Sequence, residues 1–257
     1  MNDSTFQAAL DALLERGTPR VWSLIVTVFG DLAQGEGDAI SGPALAGILT
    51  PLGIKPEAMR VALHRLRHDG WLDATKQGRT SLHSLTDYGR RESIKAGRLI
   101  YRTAAPSGPD WHIRCSQKPA ASPAPETGAL ALAPGVWLCN APAPAPDADM
   151  LVFSGTPGTI PHWVTAAVLP KNLTSEFKDL LAALTCLRDE MQSASPPRPL
   201  QAACLRVLIV HRWRRLILKT PDLPDAMYAK DWAGLMCRDA VHAALSALPQ
   251  PDLSELA

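Results

Sequence analysis

Apolar residues return at helical spacing through the first hundred positions and are cut repeatedly by turn signals. Phe6, Leu10, Leu13 and Leu14 fall at i, i+4, i+7 and i+8, which predicts an amphipathic helix over 5–15, ended by Gly17 and Pro19. The stretch 20–33 is apolar nearly all round, as a helix central to a core should be. Past a loop marked by Gly35 and Gly37, Ser41 is placed to cap a short helix with Pro43 in its first turn and Leu45, Ile48 and Leu49 inward. The turn Leu52-Gly53-Ile54 leads to a further helix over 56–69, stopped by Gly70. Its inward stripe is Met59, Ala62, Leu63 and Leu66, and its outward stripe is Arg60, His64, Arg67 and His68.

The pattern then changes period. Residues 71–75 and 80–85 read as two strands joined by the turn Lys76-Gln77-Gly78-Arg79, and Thr86 can cap a following helix that carries Arg90, Arg91, Lys95, Arg98 and Arg102. Helix, helix, tight turn, helix, hairpin is the layout of a winged helix-turn-helix. A helix presenting Arg and His outward can enter a DNA major groove, where Arg forks to guanine O6 and N7. A hairpin tipped by Lys76 and Arg79 can lie along phosphates or reach a minor groove, with Gly78 keeping the tip tight. Lys55, Arg60, His64 and Arg67 are therefore candidates for base or groove-edge contact, and Lys76 and Arg79 for phosphate or minor-groove contact. A basic helical face alone is usually only solvated surface; the face and the basic hairpin in this order are what point to DNA.

Composition sharpens this. A chain of 257 residues, 46% of them apolar, can bury a sizeable core and suits two or three domains. Its net charge is +1, so a nucleic-acid surface has to come from uneven placement. Between 60 and 102 ten Lys or Arg face four acids, a local +6. Five scattered cysteines with no C-x-x-C pair argue against a disulfide framework and a zinc ribbon. No signal peptide is visible. The uncharged run 150–170 is broken by Gly155, Pro157, Gly158 and Pro161, so it reads as soluble strands and not a membrane span. A cytoplasmic protein with no membrane partner is expected.

Residues 103–169 hold eleven of the 23 prolines, and those in 117–128 cannot sustain a normal helix. Around them 111–115, 135–138, 150–153 and 163–168 read as strands, and 173–191 as a helix. The stretch 200–219 is apolar along most of its surface and carries Arg206, Arg212, Arg214, Arg215 and Lys219 without an acid. Arg212, Arg214 and Arg215 beside Trp213 could hold the phosphates of a coenzyme A nucleotide. Equally, they could be domain-interface arginines pairing with Asp222, Asp225 and Asp231. No G-x-S-x-G, Walker loop or H-E-x-x-H is present, so no catalytic residue and no metal site is assigned and an enzyme is not expected.

Several blocks resemble one family. Arg20, Ser23-Leu24-Ile25, Thr27, Gly30-Asp31, Leu52-Gly53-Ile54, Met59-Arg60, Ala62-Leu63, Arg65-Leu66, Gly70-Trp71-Leu72, Gly78-Arg79, Ser81, Leu85-Thr86 and Gly89 resemble the N-terminal domain of the PaaX family of phenylacetate-catabolism repressors. His211-Arg212-Trp213-Arg214, Pro221, Leu223-Pro224, Asp231-Trp232 and Gly234 are similar to that family's C-terminal domain. The resemblance implies an α+β protein in three parts: a winged-helix DNA reader over 1–102, a small Cas2-like (ferredoxin-like) α/β domain over 103–195 and a helical domain over 196–257. It further implies a homodimeric regulator of aromatic-acid catabolism on a double-stranded DNA operator, released by an acyl-CoA effector such as phenylacetyl-CoA. The Cas2 likeness leaves an enzymatic alternative, a metal-dependent nuclease using Asp110 or Asp149. A CoA-thioester enzyme on a DNA-binding scaffold is another.

Overall fold

Residues 1–14, 20–103, 112–116, 129–139, 149–155, 159–169, 171–192, 194–228 and 232–256 are described by a computed structural model. The Asn2 side chain accepts the Thr5 backbone N–H at 2.8 Å and so opens α1 (Asp3–Leu13). α2 (Val21–Leu32) follows, buried over most of its surface as its all-round apolar sequence requires. A two-residue strand, β1 (Ile40–Ser41), leads into α3 (Gly42–Leu49), which Ser41 caps by accepting the Ala44 N–H at 3.1 Å. Then come α4 (Pro56–His68), the hairpin β2 (Leu72–Gln77) and β3 (Thr80–Leu85), and α5 (Asp87–Ile100). The three strands form an antiparallel sheet in the order β1–β3–β2.

A second antiparallel sheet joins β4 (His112–Ser116), β5 (Leu130–Ala133), β6 (Val136–Cys139) and β7 (Met150–Ser154) in the order β5–β6–β4–β7. The remaining elements are helical: α6 (His162–Val168), α7 (Lys171–Gln192), α8 (Pro199–Ile217) and α9 (Ala233–Ala247), with 3-10 turns at Asp225–Met227 and Leu253–Leu256. The protein is thus mixed helix and sheet. The expected first residue of β4, Trp111, the proline-rich stretch 117–128 and the carboxylates of Asp110 and Asp231 lie outside the described residues.

One expected strand is a helix. Residues 163–168 form a short, mostly apolar run that suggests β-structure, but they lie within α6, where Val164 and Val168 are buried at i and i+4. Pro161, extended at the N-cap, and the helix formers Ala166 and Ala167 favour that choice. No described helix is long and apolar enough to cross a membrane, and all five cysteines are free.

The sequence suggests domains over 1–102, 103–195 and 196–257; compactness groups the chain differently, into two units that each draw on separated stretches. The first unit takes 1–101, 180–214 and 239–257, and the second 102–179 and 215–238. In the first, Leu10, Leu13, Leu24, Ile25, Phe29, Leu45, Ile48 and Leu49 are wholly buried together with Leu205, Val207 and Ile209 of α8. Within this core Asp31 and Arg206 form a buried bidentate pair at 2.9 and 3.0 Å. In the second, Trp232 stacks on Tyr228 at 3.8 Å and meets Phe177 edge-on at 5.6 Å, while the Cys237 thiol donates to the Phe177 carbonyl at 3.0 Å.

The buried pair makes a stability prediction. Arg206→Met leaves the Asp31 carboxylate buried without its charge partner and should cost about 3–5 kcal/mol in urea unfolding. The double variant Asp31→Leu/Arg206→Met, which buries no charge, should recover a substantial part of that loss. Equal losses in both would show that the ion pair does not set the cost.

Candidate nucleic-acid interface

α4 is bracketed by two matched turns. Gly53 (φ +77°) sends its N–H to the Thr50 carbonyl at 2.9 Å while Ile54 reaches back to Leu49 at 3.2 Å. At the far end Gly70 (φ +73°) bonds Arg67 at 3.1 Å and Trp71 bonds Leu66 at 2.8 Å. Both are the paired bonds that close a helix over a left-handed residue, a backbone state in which glycine has no side-chain penalty. Lys55 is the N-cap and Pro56 the first helical residue, a place where the missing N–H costs nothing.

Between these ends the helix divides by face. Ala62, Leu63 and Leu66 are buried, and Lys55, Arg60, His64, Arg67 and His68 are exposed. Arg60 contacts Glu57 at 2.9 Å, but both side chains are about 70% exposed, so the pair is weak and easily exchanged for a better anion. Arg67 also acts inward: burial and the Arg67 charge together hold His83, on β3, below the ordinary histidine range. In the hairpin Gln77 pairs with Thr80, which leaves Gly78-Arg79 as a two-residue tip with Lys76 and Arg79 exposed.

Not every cation in the basic stretch serves this surface. Arg65 leans over the Trp22 ring at 5.9 Å and contacts Asp69 at 3.5 Å. Arg90 donates to the carbonyls of Gln34 at 2.7 Å and Leu85 at 3.5 Å, and also to that of Gly35. Arg102, in the second unit, pairs with Asp222 at 2.6 Å. The sequence also passes over Val61, which is 71% exposed on α4; its signal is an apolar residue out of phase with the inward stripe.

The second predicted cluster is placed otherwise. Trp213 is wholly buried in the first unit and its indole N–H donates to the Ile100 carbonyl at 2.8 Å. Arg212, also buried, donates to the Leu13 carbonyl at 3.2 Å. Arg214 is half-buried and donates to Thr27 Oγ1 at 3.0 Å and to the Ser23 carbonyl at 3.4 Å. Arg215 is half-buried and belongs to the second unit. Of the acids suggested as their partners, Asp222 pairs with Arg102 and Asp225 with Arg238 at 3.4 Å.

The second unit holds a pocket of about 350 Å³. Ile113, Leu138 and Phe153, in register on one sheet face, form its floor, and Trp163, Val164 and Met227 wall it. Among the described residues no three His, Cys, Asp or Glu side chains gather as a metal site would need.

Comparison with known proteins finds matches at both ends of the chain. The family described as PaaX-like protein matches residues 20–89, and the PaaX-like protein C-terminal domain matches 170–252. The chain belongs to the PaaX-like family. It is similar to the transcriptional repressor PaaX of Escherichia coli (strain K12), with 29% identity over 267 aligned positions that take in 92% of this chain and 81% of that protein. The family is one of regulators and not of enzymes. Its N-terminal match spans α2 through the start of α5, and so contains α4 and the hairpin entire.

These placements separate surface from core. Trp213→Ala should cost about 3–5 kcal/mol in urea unfolding, as for a buried aromatic that also donates a hydrogen bond. Arg60→Ala should change stability by less than about 0.5 kcal/mol, as at an exposed site. A Trp213 variant of unchanged stability would mean that the side chain is not the packing element described.

Proposed function

We propose that this protein is a transcriptional regulator of phenylacetate-type catabolism, a repressor that grips duplex DNA with α4 and the β2–β3 hairpin. One observation carries the reading. A helix framed by two tight turns buries its apolar stripe and leaves Lys55, Arg60, His64 and Arg67 in water, beside a hairpin tipped by Lys76 and Arg79. The order helix, short strand, helix, helix, hairpin, with strands arranged β1–β3–β2, supports a winged helix-turn-helix. In that frame α4 is the helix that enters the major groove and the hairpin is the wing. The similarity to a transcriptional repressor supports the same assignment, with the protein acting in the cytoplasm.

A single reading head of this size makes few base contacts against a genome of competing sites. Two copies on a palindrome double them, so a homodimer is the working assembly under this proposal. The strand order β5–β6–β4–β7, antiparallel throughout, supports a ferredoxin-like (Cas2-like) second part.

The effector reading is an aryl-acyl-CoA. The apolar pocket of the second unit favours it, being within the size range of ligand sites and lined by Trp163 and Phe153, flat surfaces suited to an aryl group. On this reading the aryl end enters over Ile113 and Leu138, whereas Arg212, Trp213 and Arg214 serve the packing of the first unit.

DNA contact divides into two measurable kinds. On a duplex selected by the protein, Arg60→Ala should lose about 1–3 kcal/mol of affinity and relax discrimination at one base position. Lys76→Ala should weaken binding to all sequences alike and lower the log–log salt slope by about one unit. Equal loss from Arg60→Ala on selected and random DNA would remove the base-reading role.

The effector makes a separate prediction. Phenylacetyl-CoA, but neither free phenylacetate nor plain CoA, should weaken operator retention by about 5- to 150-fold. Val164→Trp, which fills the pocket, should abolish that response without changing DNA affinity. Binding of the thioester with no change in retention would defeat the switch.

A further inference from the structure

The outward face of α4 carries one residue that hydrogen bonding and charge do not explain. Glu57, Val61, His64 and His68 follow one another at i, i+4, i+7 and i+11, and all four are exposed. They form the ridge opposite the buried stripe Ala62, Leu63 and Leu66. Val61 is 71% exposed, more than any other large apolar side chain among the described residues. A β-branched residue is a poor helix former, and at an exposed position no packing within the unit offsets that penalty. Isolated surface valines are ordinary elsewhere. This one lies at the centre of a face flanked by Lys55, Arg60 and Arg67, a setting complementary to a polyanion and not to an apolar protein surface.

We propose that Val61 reads a thymine, packing its two methyl groups against the C5 methyl in the major groove. The inference rests on the DNA-binding reading above and adds a specificity residue to it. In the major groove the thymine methyl is the one apolar feature on a base edge, so charged and hydrogen-bonding side chains cannot select it and an aliphatic one can. Arg60, one residue earlier and reaching the same groove, selects guanine by hydrogen bonds. The two neighbours then discriminate opposite base pairs by different physics. Removing one methyl-sized contact from a dry interface is worth about fourfold in affinity.

The test uses the full-length protein and a duplex selected by it from a random library. Each thymine is replaced in turn by deoxyuridine, which removes the methyl and leaves every hydrogen-bonding group in place. The wild type should lose about fourfold at one thymine, or at that thymine and its symmetric mate, and little elsewhere. Val61→Ser should show no further loss at that position, while its loss at other positions and its affinity for random DNA match the wild type. Because the side chain is exposed, the melting temperature of the variant should also match. A wild type indifferent to deoxyuridine at every position overturns the proposal. So does a Val61→Ser protein that keeps the full deoxyuridine penalty. Failure of the wild type to bind any duplex would overturn the DNA reading itself, and this residue's role with it.

Discussion

Asp31 sits on α2 with its carboxylate wholly out of water, and an uncompensated buried charge is among the costliest things a fold can contain. The compensation comes from Arg206, 175 positions later, whose guanidinium takes both carboxylate oxygens and then turns its remaining N–H groups to the carbonyls of Leu245 and Leu248. Those carbonyls lie at the C-terminal end of α9, where a helix has acceptors without intrahelical partners and favours a cation. The Tyr101 hydroxyl donates to the same carboxylate at 2.8 Å; burial, with the Asp31 charge behind it, holds its pKa well above 10, so it remains a donor. One ion pair therefore joins α2, the end of α5, α8 and the end of α9. The N-terminal helices and hairpin are not a free-standing module, because their central helix carries a buried charge that Arg206, in the C-terminal part of the chain, neutralises.

This dependence explains what could be read from the sequence. α4 and the hairpin were legible because each is specified locally: apolar stripe, Pro56 at the first helical position, Gly53 and Gly70 at the turns, a two-residue tip. The exposed residues Arg60, His64, Arg67, Lys76 and Arg79 follow from those local rules once the inward face is known. β1 was not legible, since two residues are too few for an alternating pattern and the strand exists only by pairing with β3. The α6 sequence suggests a strand for a related reason: a short apolar run has the same composition as a strand, and only the burial of Val164 with Val168 decides its period.

The arginines of α8 show the limit more sharply. In the sequence they form an acid-free cluster that resembles a phosphate site. In the fold Trp213 bonds a carbonyl 113 positions away and Arg214 a hydroxyl 187 positions away. A cluster in sequence need not be a cluster in space when its members lie on a helix buried on most sides, because successive residues then face different neighbours. Local periodicity identifies which residues share a face; it does not say what lies opposite that face.

The same distinction shapes how the protein can meet DNA. Arg102 and Arg206 are paired with carboxylates, so they add little to the field that a polyanion feels, and the chain as a whole carries a net charge of only +1. Beyond roughly one Debye length, about 8 Å at physiological salt, such a molecule attracts DNA weakly. On the proposed reading, what attracts is the local face of α4 and the hairpin, whose asymmetry orients the approach as well as strengthening it. A reader that made few phosphate contacts would have a correspondingly shallow salt dependence and weak residence on random sequence. On the proposed reading more of its affinity then comes from the base edges, where an uncharged member of the α4 face contributes beside the arginines.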